Sequence, residues 1–190
     1  MYSKLSDTNI GKIAPPNVII RIAGVDDVPA LVGVSVQTLW EAFGPPLNLA
    51  TNVEAYVSSA FTTERLGDEL LDPAATFLLA ETPEGQLVGY AKLRRHRPPR
   101  QLRGQHAVEI QRLYVLNERT GTGLGRLLMD RCCLLARQEG FEAIWLGVWE
   151  RNARGIRFYE KMGFQRVGWH YFQFGSERQR DYWMSKSIRE

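Results

Sequence analysis

The fold is decided by residues 109–164, which read EIQRLYV (109–115), TGTGLG (120–125), RLLMDRCCLLARQEG (126–140) and LGVWERNARGIRFYEKMGF (146–164) after a short FEAIW lead. EIQRLYV belongs to AVEIQRLYVL (107–116), a strand-like run. Beyond the glycines, Leu124, Leu127, Leu128, Cys132, Leu135 and Ala136 recur at helical spacing until Gly140 stops the helix. FEAIWLGVW (141–149) is nearly all apolar, as expected of a strand covered on both faces. RNARGIRFYEKMGF then reads as a short helix closing at Gly163. The glycine turn therefore joins a strand to a helix start, where backbone N–H groups have no intrahelical partner and the helix dipole favours negative charge. That is a cradle for a diphosphate. A glycine turn by itself is equally a plain turn or cap. Its spacing is neither the dinucleotide G-x-G-x-x-G nor a phosphate loop ending in G-K-[ST].

Outward from this core, NVIIRI (17–22) is a short β-rich run, and VDDVPALVGVSVQTLWEAFG is a helix stopped by Gly44-Pro45-Pro46. One further helix is expected over 53–71. ATFLLAE and QLVGYAKLR flank the turn TPEG as a hairpin, and QRVGWHYFQF and RDYWMSKSI form a final strand pair around GSER. Residues 1–16 are polar, end in Pro15-Pro16, and read as a mobile lead-in to a single domain over 17–190.

The apolar fraction of 44% and charged fraction of 24% are those of a globular domain, and 190 residues suffice for a core without metals or disulfides. Cys132 and Cys133 are adjacent on the predicted helix, so they cannot build a disulfide framework and show no metal-ligand spacing; no metal is expected. No apolar run approaches the roughly 18 residues of a membrane span, so no membrane partner is expected and the cytoplasm is the expected location. Six cations, Lys92, Arg94, Arg95, Arg97, Arg100 and Arg103, fall within 92–103 with no acid among them; the remaining 18 cations face 21 carboxylates. The chain reads as a basic flap on a mildly acidic body. This flap is a solvated loop, a guide for an anionic ligand, or a contact for an acidic partner; it lacks the interleaved aromatics of a nucleic-acid site.

The turn and its surroundings resemble the acyl-carrier motif Q/R-x-x-G-x-G/A of the GNAT superfamily of N-acetyltransferases, with Thr120 at the Gln/Arg position and Gly123 and Gly125 as the two glycines. NARGIRFYEKMGF is similar to that superfamily's N-x-x-A-x-x-F-Y-x-K-x-G-F block, with Gly155 replacing alanine. Together with YVSSAFTTERLGDEL, GQLVGYAKL and the terminal WHYFQFGSERQRDYWMSK, the likeness extends over about residues 18–188 and is similar to the bacterial spermine/spermidine acetyltransferase subfamily. The resemblance implies an α/β (α+β) fold. A mixed, twisted sheet of about seven strands, flanked by about four helices, would splay between 107–116 and 143–149.

It further implies acetyl-CoA as cosubstrate. The main chain of Thr120, Gly121, Thr122, Gly123, Leu124, Gly125 and Arg126 would hold the pyrophosphate. Leu113, Tyr114 and Val115 would pair with the pantetheine arm like an added strand, and Asn152 would contact that arm. Arg126, Arg157 and Lys161 would reach the nucleotide phosphates or lie on solvated helix faces. Attack by an amine needs proton removal, because an alkylammonium of pKa about 10 is unreactive. Glu109 is the expected base, or else an ion-paired strand carboxylate. Glu150 is a second base or an amine-binding anion. Tyr159 is the expected acid for the departing thiolate, or else a core aromatic. Glu41, Glu54, His170 and Asp181, with Trp149, Trp169 and Trp183, are expected around the acceptor, although carboxylates on a solvated surface and a core histidine are the plainer readings. The expected partners are acetyl-CoA and a small primary amine, polyamines first, with a homodimer allowed for. A protein or peptide acceptor, or a CoA-sensing module with little turnover, are the alternatives.

Overall fold

The computed structural model describes residues 17–189; the expected lead-in at 1–16 lies outside them. Seven strands form one sheet in the order β1-β2-β3-β4-β5-β7-β6. They are β1 (Ile19–Ile22), β2 (Ala75–Glu81), β3 (Leu87–Arg94), β4 (Ala107–Val115), β5 (Ala143–Trp149), β6 (Gln165–Phe174) and β7 (Glu177–Ser187). Neighbours are antiparallel except β4 and β5. The five α-helices are α1 (Val28–Phe43), α2 (Ala50–Ala60), α3 (Thr63–Leu71), α4 (Leu124–Gln138) and α5 (Ala153–Lys161).

The helix expected over 53–71 is two helices. The chain breaks at Phe61, whose ring is buried, and restarts at Thr62, whose hydroxyl accepts the Arg65 N–H at 3.1 Å. A side-chain acceptor three residues ahead of a free N–H is a helix-start signal that apolar spacing alone does not register.

One interruption in the sheet positions the site. Strands β4 and β5 pair only between Ala107–Glu109 and Ala143–Trp145. Beyond that, β4 stays on β3 and β5 stays on β7, so the strands part and leave two unpaired inner edges. A β-bulge lies on β4 at the fork: Ile110 faces Leu93, and Arg112 faces Lys92, leaving Gln111 as the extra residue. The bulge re-aims the side chains that follow it. Glu109, Arg112 and Tyr114 consequently share one face with Arg94, Lys92 and Tyr90, rather than alternating as an unbroken strand would require.

That face is covered by α1–α3. Phe43 packs on Tyr114, Trp149 and Phe174, and Tyr56 packs on Phe172 and Phe174. It also buries an ionic triad. Glu69 of α3 takes Lys92 Nζ at 2.8 Å and Arg112 Nη1 at 2.6 Å, with the two cations only 4% and 7% exposed. Burial pushes Lys92 down to about 8. For Glu69 burial acts upward, but Arg112 and Lys92 outweigh it and lower its pKa. The opposite face packs against α4 through Leu124, Leu128, Met129, Cys132 and Ala136, all buried. Burial also raises both cysteine thiols, Cys132 well above the ordinary thiol range, so neither is an activated nucleophile.

The basic segment is only half a flap. Lys92 and Arg94 belong to β3, and Arg95 is bound to Glu139 of the α4 C-terminus. A single 3-10 turn at Arg100–Leu102 plants Leu102 in a small cluster with Ala107, Ala143 and Trp145. Arg97, Arg100 and Arg103 stay exposed.

Candidate active site

The turn before α4 is shaped by two glycines. Gly121 and Gly123 have φ of +80° and +92°, the left-handed region in which a side chain is strained. Gly123 is the N-cap residue and offers no side chain, and the first helical backbone bond there is Leu127 N–H to the Gly123 carbonyl. The N–H groups of Leu124, Gly125 and Arg126 therefore face outward without a capping side chain. Thr120 and Thr122 turn their hydroxyls back onto the carbonyls of Asn117 and Arg119, each at 2.7 Å, and so brace the turn. Gly125 lies against α5: a Cβ there would meet the Phe158 ring at 3.7 Å. These main-chain donors and the unpaired β4 edge at Leu113–Val115 suit a diphosphate followed by an amide-bearing arm.

Around this cradle the expected cations are dispersed. Arg126 lies over Asp130 at 3.6 Å with its side chain 75% exposed, and Arg157 and Lys161 are exposed on α5. Asn152 caps α5, its Oδ1 accepting the Gly155 N–H at 2.8 Å. This accounts for glycine where alanine is usual. A Cβ at 155 would stand 2.7 Å from Asn152 Nδ2.

Tyr159 projects from α5 into the interior beside Phe158 and Phe164. Burial raises its phenol to about 12, with Cys132 adding to the effect, so it stays protonated across the physiological range. Tyr114 lies near enough to feel Tyr159, and burial raises it as well.

On the face of the sheet that carries α1–α3, Glu109 is held by Arg94 Nε at 2.8 Å and His96 Nε2 at 2.9 Å, both on Oε2. Its side chain is only 8% exposed. An ion-paired carboxylate was the alternative for Glu109 in the sequence; its partners were not named there, because Arg94 and His96 lay in a segment read as a flap. Cross-strand from Trp149 is Asp181, and from Asp181, His170. His170 stacks on Trp183 with ring centroids 3.7 Å apart and 10° between planes. Both residues have a buried polar atom with no hydrogen-bond partner among the described residues, His170 Nε2 and Asp181 Oδ1. Desolvation lowers the His170 pKa and raises that of Asp181 to about 6.

The other expected acceptor residues are hydrogen-bonded, ion-paired or exposed. Glu41 accepts the Asn117 N–H at 2.7 Å, tying the end of α1 to the turn after β4. Glu150 accepts Arg180 Nε at 2.7 Å just beyond β5, and Glu54 is exposed on α2. Trp169 is 53% exposed on the edge strand β6.

Comparison with known proteins agrees with this architecture. Residues 37–164 match the model of the Acetyltransferase (GNAT) family. An uncharacterized N-acetyltransferase of Mycobacterium tuberculosis is 34% identical over 166 residues, covering 85% of this chain and 98% of that one. Among solved structures, the PaiA N-acetyltransferase of Thermoplasma acidophilum in complex with coenzyme A superposes with a TM-score of 0.73 at 21% identity, over 90% of this chain and 98% of that one. A spermidine N-acetyltransferase of Vibrio cholerae, in complex with CoA and spermine, gives 0.65 at 17% identity, over 90% and 96%. Fork, glycine turn and family match agree: this chain belongs to the GNAT family of acetyltransferases.

Proposed function

We propose that the protein transfers the acetyl group of acetyl-CoA to a small primary amine by direct attack. The observation that carries this reading is the forked sheet opening beside a helix start whose three leading N–H groups have no capping side chain. Diphosphate oxygens would accept from Leu124, Gly125 and Arg126, while the pantetheine amides would complete the open edge of β4 at Leu113–Val115. The thioester would then lie at the fork, between Glu109 and Tyr159. A ping-pong route through cysteine is unsupported, since both thiols are buried in α4 with raised pKa.

In the reaction the amine nitrogen bonds to the thioester carbon, the C–S bond breaks, and the sulfur takes a proton. Tyr159, protonated at rest, supplies that proton and recovers one as the new amide nitrogen deprotonates. The ammonium gives up its first proton to a base on the acceptor face, directly or through water. A polyamine fits a face with an unpaired carboxylate, and spermine is present in the Vibrio cholerae structure. Calorimetry with CoA, followed by thiol release from acetyl-CoA over polyamines, amino acids and short peptides, tests the reading. Micromolar CoA binding and turnover of small amines are expected. No heat with CoA would remove the whole reading, and turnover of peptides alone would reassign the acceptor.

A further inference from the structure

Two neighbouring side chains on the acceptor face are unmatched, and they complement each other. His170 Nδ1 lies 3.1 Å from the Tyr171 carbonyl oxygen. A carbonyl only accepts, so Nδ1 carries the hydrogen, and in the neutral ring Nε2 is a bare lone pair. That Nε2 is buried and unpartnered. It sits beside Gly147 of β5, where a Cβ would be 3.5 Å away, and Gly147 itself is open to solvent past the point at which β4 and β5 separate. The ring plane is fixed by its stack on Trp183. Next to it across the β6–β7 ladder, Asp181 keeps Oδ1 without a donor. By contrast Glu69, Glu109 and Glu150 are each bound to arginine.

Resting on the acetyl-transfer reading, we propose that His170 Nε2 takes the proton from the incoming amine and that Asp181 holds the ammonium beside it, so that the acceptor is a primary alkylammonium ion. Imidazole is ordinarily a stronger base than a carboxylate by roughly two pKa units, and here it has the free lone pair. Glu109, clamped by Arg94 and His96, acts from behind: its charge favours the imidazolium once formed. Asp181 of β7 is the cross-strand neighbour of His170, Glu109 of β4 is the charge that acts on the ring, and Glu150 beyond β5 acts on Asp181. Burial dominates them and keeps the ring neutral at pH 7, ready to accept. The proton leaves His170 for bulk water, the freed amine attacks the thioester carbon, and the thiolate is protonated by Tyr159. One proton is released per acetyl group moved.

Two measurements decide this. First, 15N-histidine NMR of the full chain at pH 7.5 should show His170, assigned among the three histidines by loss of its signals in H170Q, as the neutral Nδ1–H tautomer. An Nε2–H tautomer or an imidazolium at that pH overturns the assignment without any acceptor being needed. Second, with acetyl-CoA and spermidine or another turned-over alkylamine, H170Q should lose about 100-fold in kcat/KM at pH 7, a loss that shrinks toward pH 10 as free amine accumulates. D181N should raise the amine KM about 10-fold with kcat nearly kept. If H170Q keeps the wild-type pH profile while E109Q loses the acid limb, the proton goes to Glu109 and the proposal is wrong. Failure of the wild type to bind CoA would instead remove the acetyl-transfer reading and leave the tautomer result standing.

Discussion

The two sides of the fork are built from different materials. On the side proposed for the coenzyme the donors are main-chain N–H groups, aimed by Gly121 and Gly123, while the nearby arginines and lysine are exposed. On the side proposed for the acceptor the groups are side chains brought from β3 and the loop after it, β4, β6 and β7: Arg94 and His96 on Glu109, and His170 beside Asp181. A backbone site recognises what every acetyl-CoA shares, and its geometry is set within one turn. A side-chain site recognises what differs between acceptors, and its geometry needs the whole sheet. The coenzyme half should accordingly tolerate changes in side-chain chemistry but not in backbone shape, with the acceptor half behaving the opposite way.

The largest expected effect lies where the halves meet. Tyr159→Phe removes only a hydroxyl from a packed ring, so CoA affinity should hold while kcat falls about 10- to 100-fold, or about 1.4 to 2.8 kcal/mol of barrier. Unchanged turnover would take the acid role from Tyr159. Next comes the backbone rule. Gly123→Val forces a β-branched residue to φ near +92° at the α4 start. The turn must change shape, at a cost of about 1–3 kcal/mol, and CoA affinity by calorimetry should fall about 10-fold or more. Arg126→Ala, on an exposed side chain, should shift it much less. Equal losses in the two variants would erase the contrast between the halves.

The strand–turn–helix unit of the proposed coenzyme half was legible in sequence because its information is local. A strand, two glycines and a helix period within about thirty residues fix the turn, and the Asn152-to-Gly163 block fixes the second helix. Seven strands were foreseen for the same reason: each carried its own apolar pattern and turn. The bulge at Gln111 carried no such mark, since its register depends on β3 opposite. Nor could the cations of 92–103 be assigned. Lys92 and Arg112 look like solvated charges until Glu69, far away in the chain, is folded against them. Glu41 shows the converse, a helix carboxylate that takes up the Asn117 N–H, 76 residues further along the chain.

Asp181 tests whether the acceptor side is strained for function. Burial raises its pKa to about 6, above the ordinary value of 3.8, so the folded state binds more protons than the unfolded state between those values. Its contribution to stability is therefore present below about pH 4 and is lost as pH rises through 6. At pH 7.5 the buried, unpartnered charge is a cost, and Asp181→Asn should raise the melting temperature by about 2–4 °C, the equivalent of about 1 kcal/mol in a domain of this size. At pH 4 the gain should vanish. A lower melting temperature at pH 7.5 would mean that Asp181 is a structural partner after all.

The smallest effect returns to the coenzyme half. At position 155 alanine is the better helix former by about 1 kcal/mol, and propensity alone predicts that Gly155→Ala stabilises α5. The structure predicts otherwise, because the new Cβ would lie 2.7 Å from Asn152 Nδ2 and 3.0 Å from its Oδ1. Asn152 must then turn away, and the cap it gives the Gly155 N–H, worth about 1 kcal/mol, weakens or is lost. The two terms nearly cancel, so Gly155→Ala should move the melting temperature by no more than a degree or two. In an Asn152→Ala background, with no cap left to displace, the same Gly155→Ala change should stabilise by its full helix propensity. Thermal melts of the two single variants and the double variant measure this coupling. If Gly155→Ala is equally stabilising with and without Asn152, the cap is not what glycine protects.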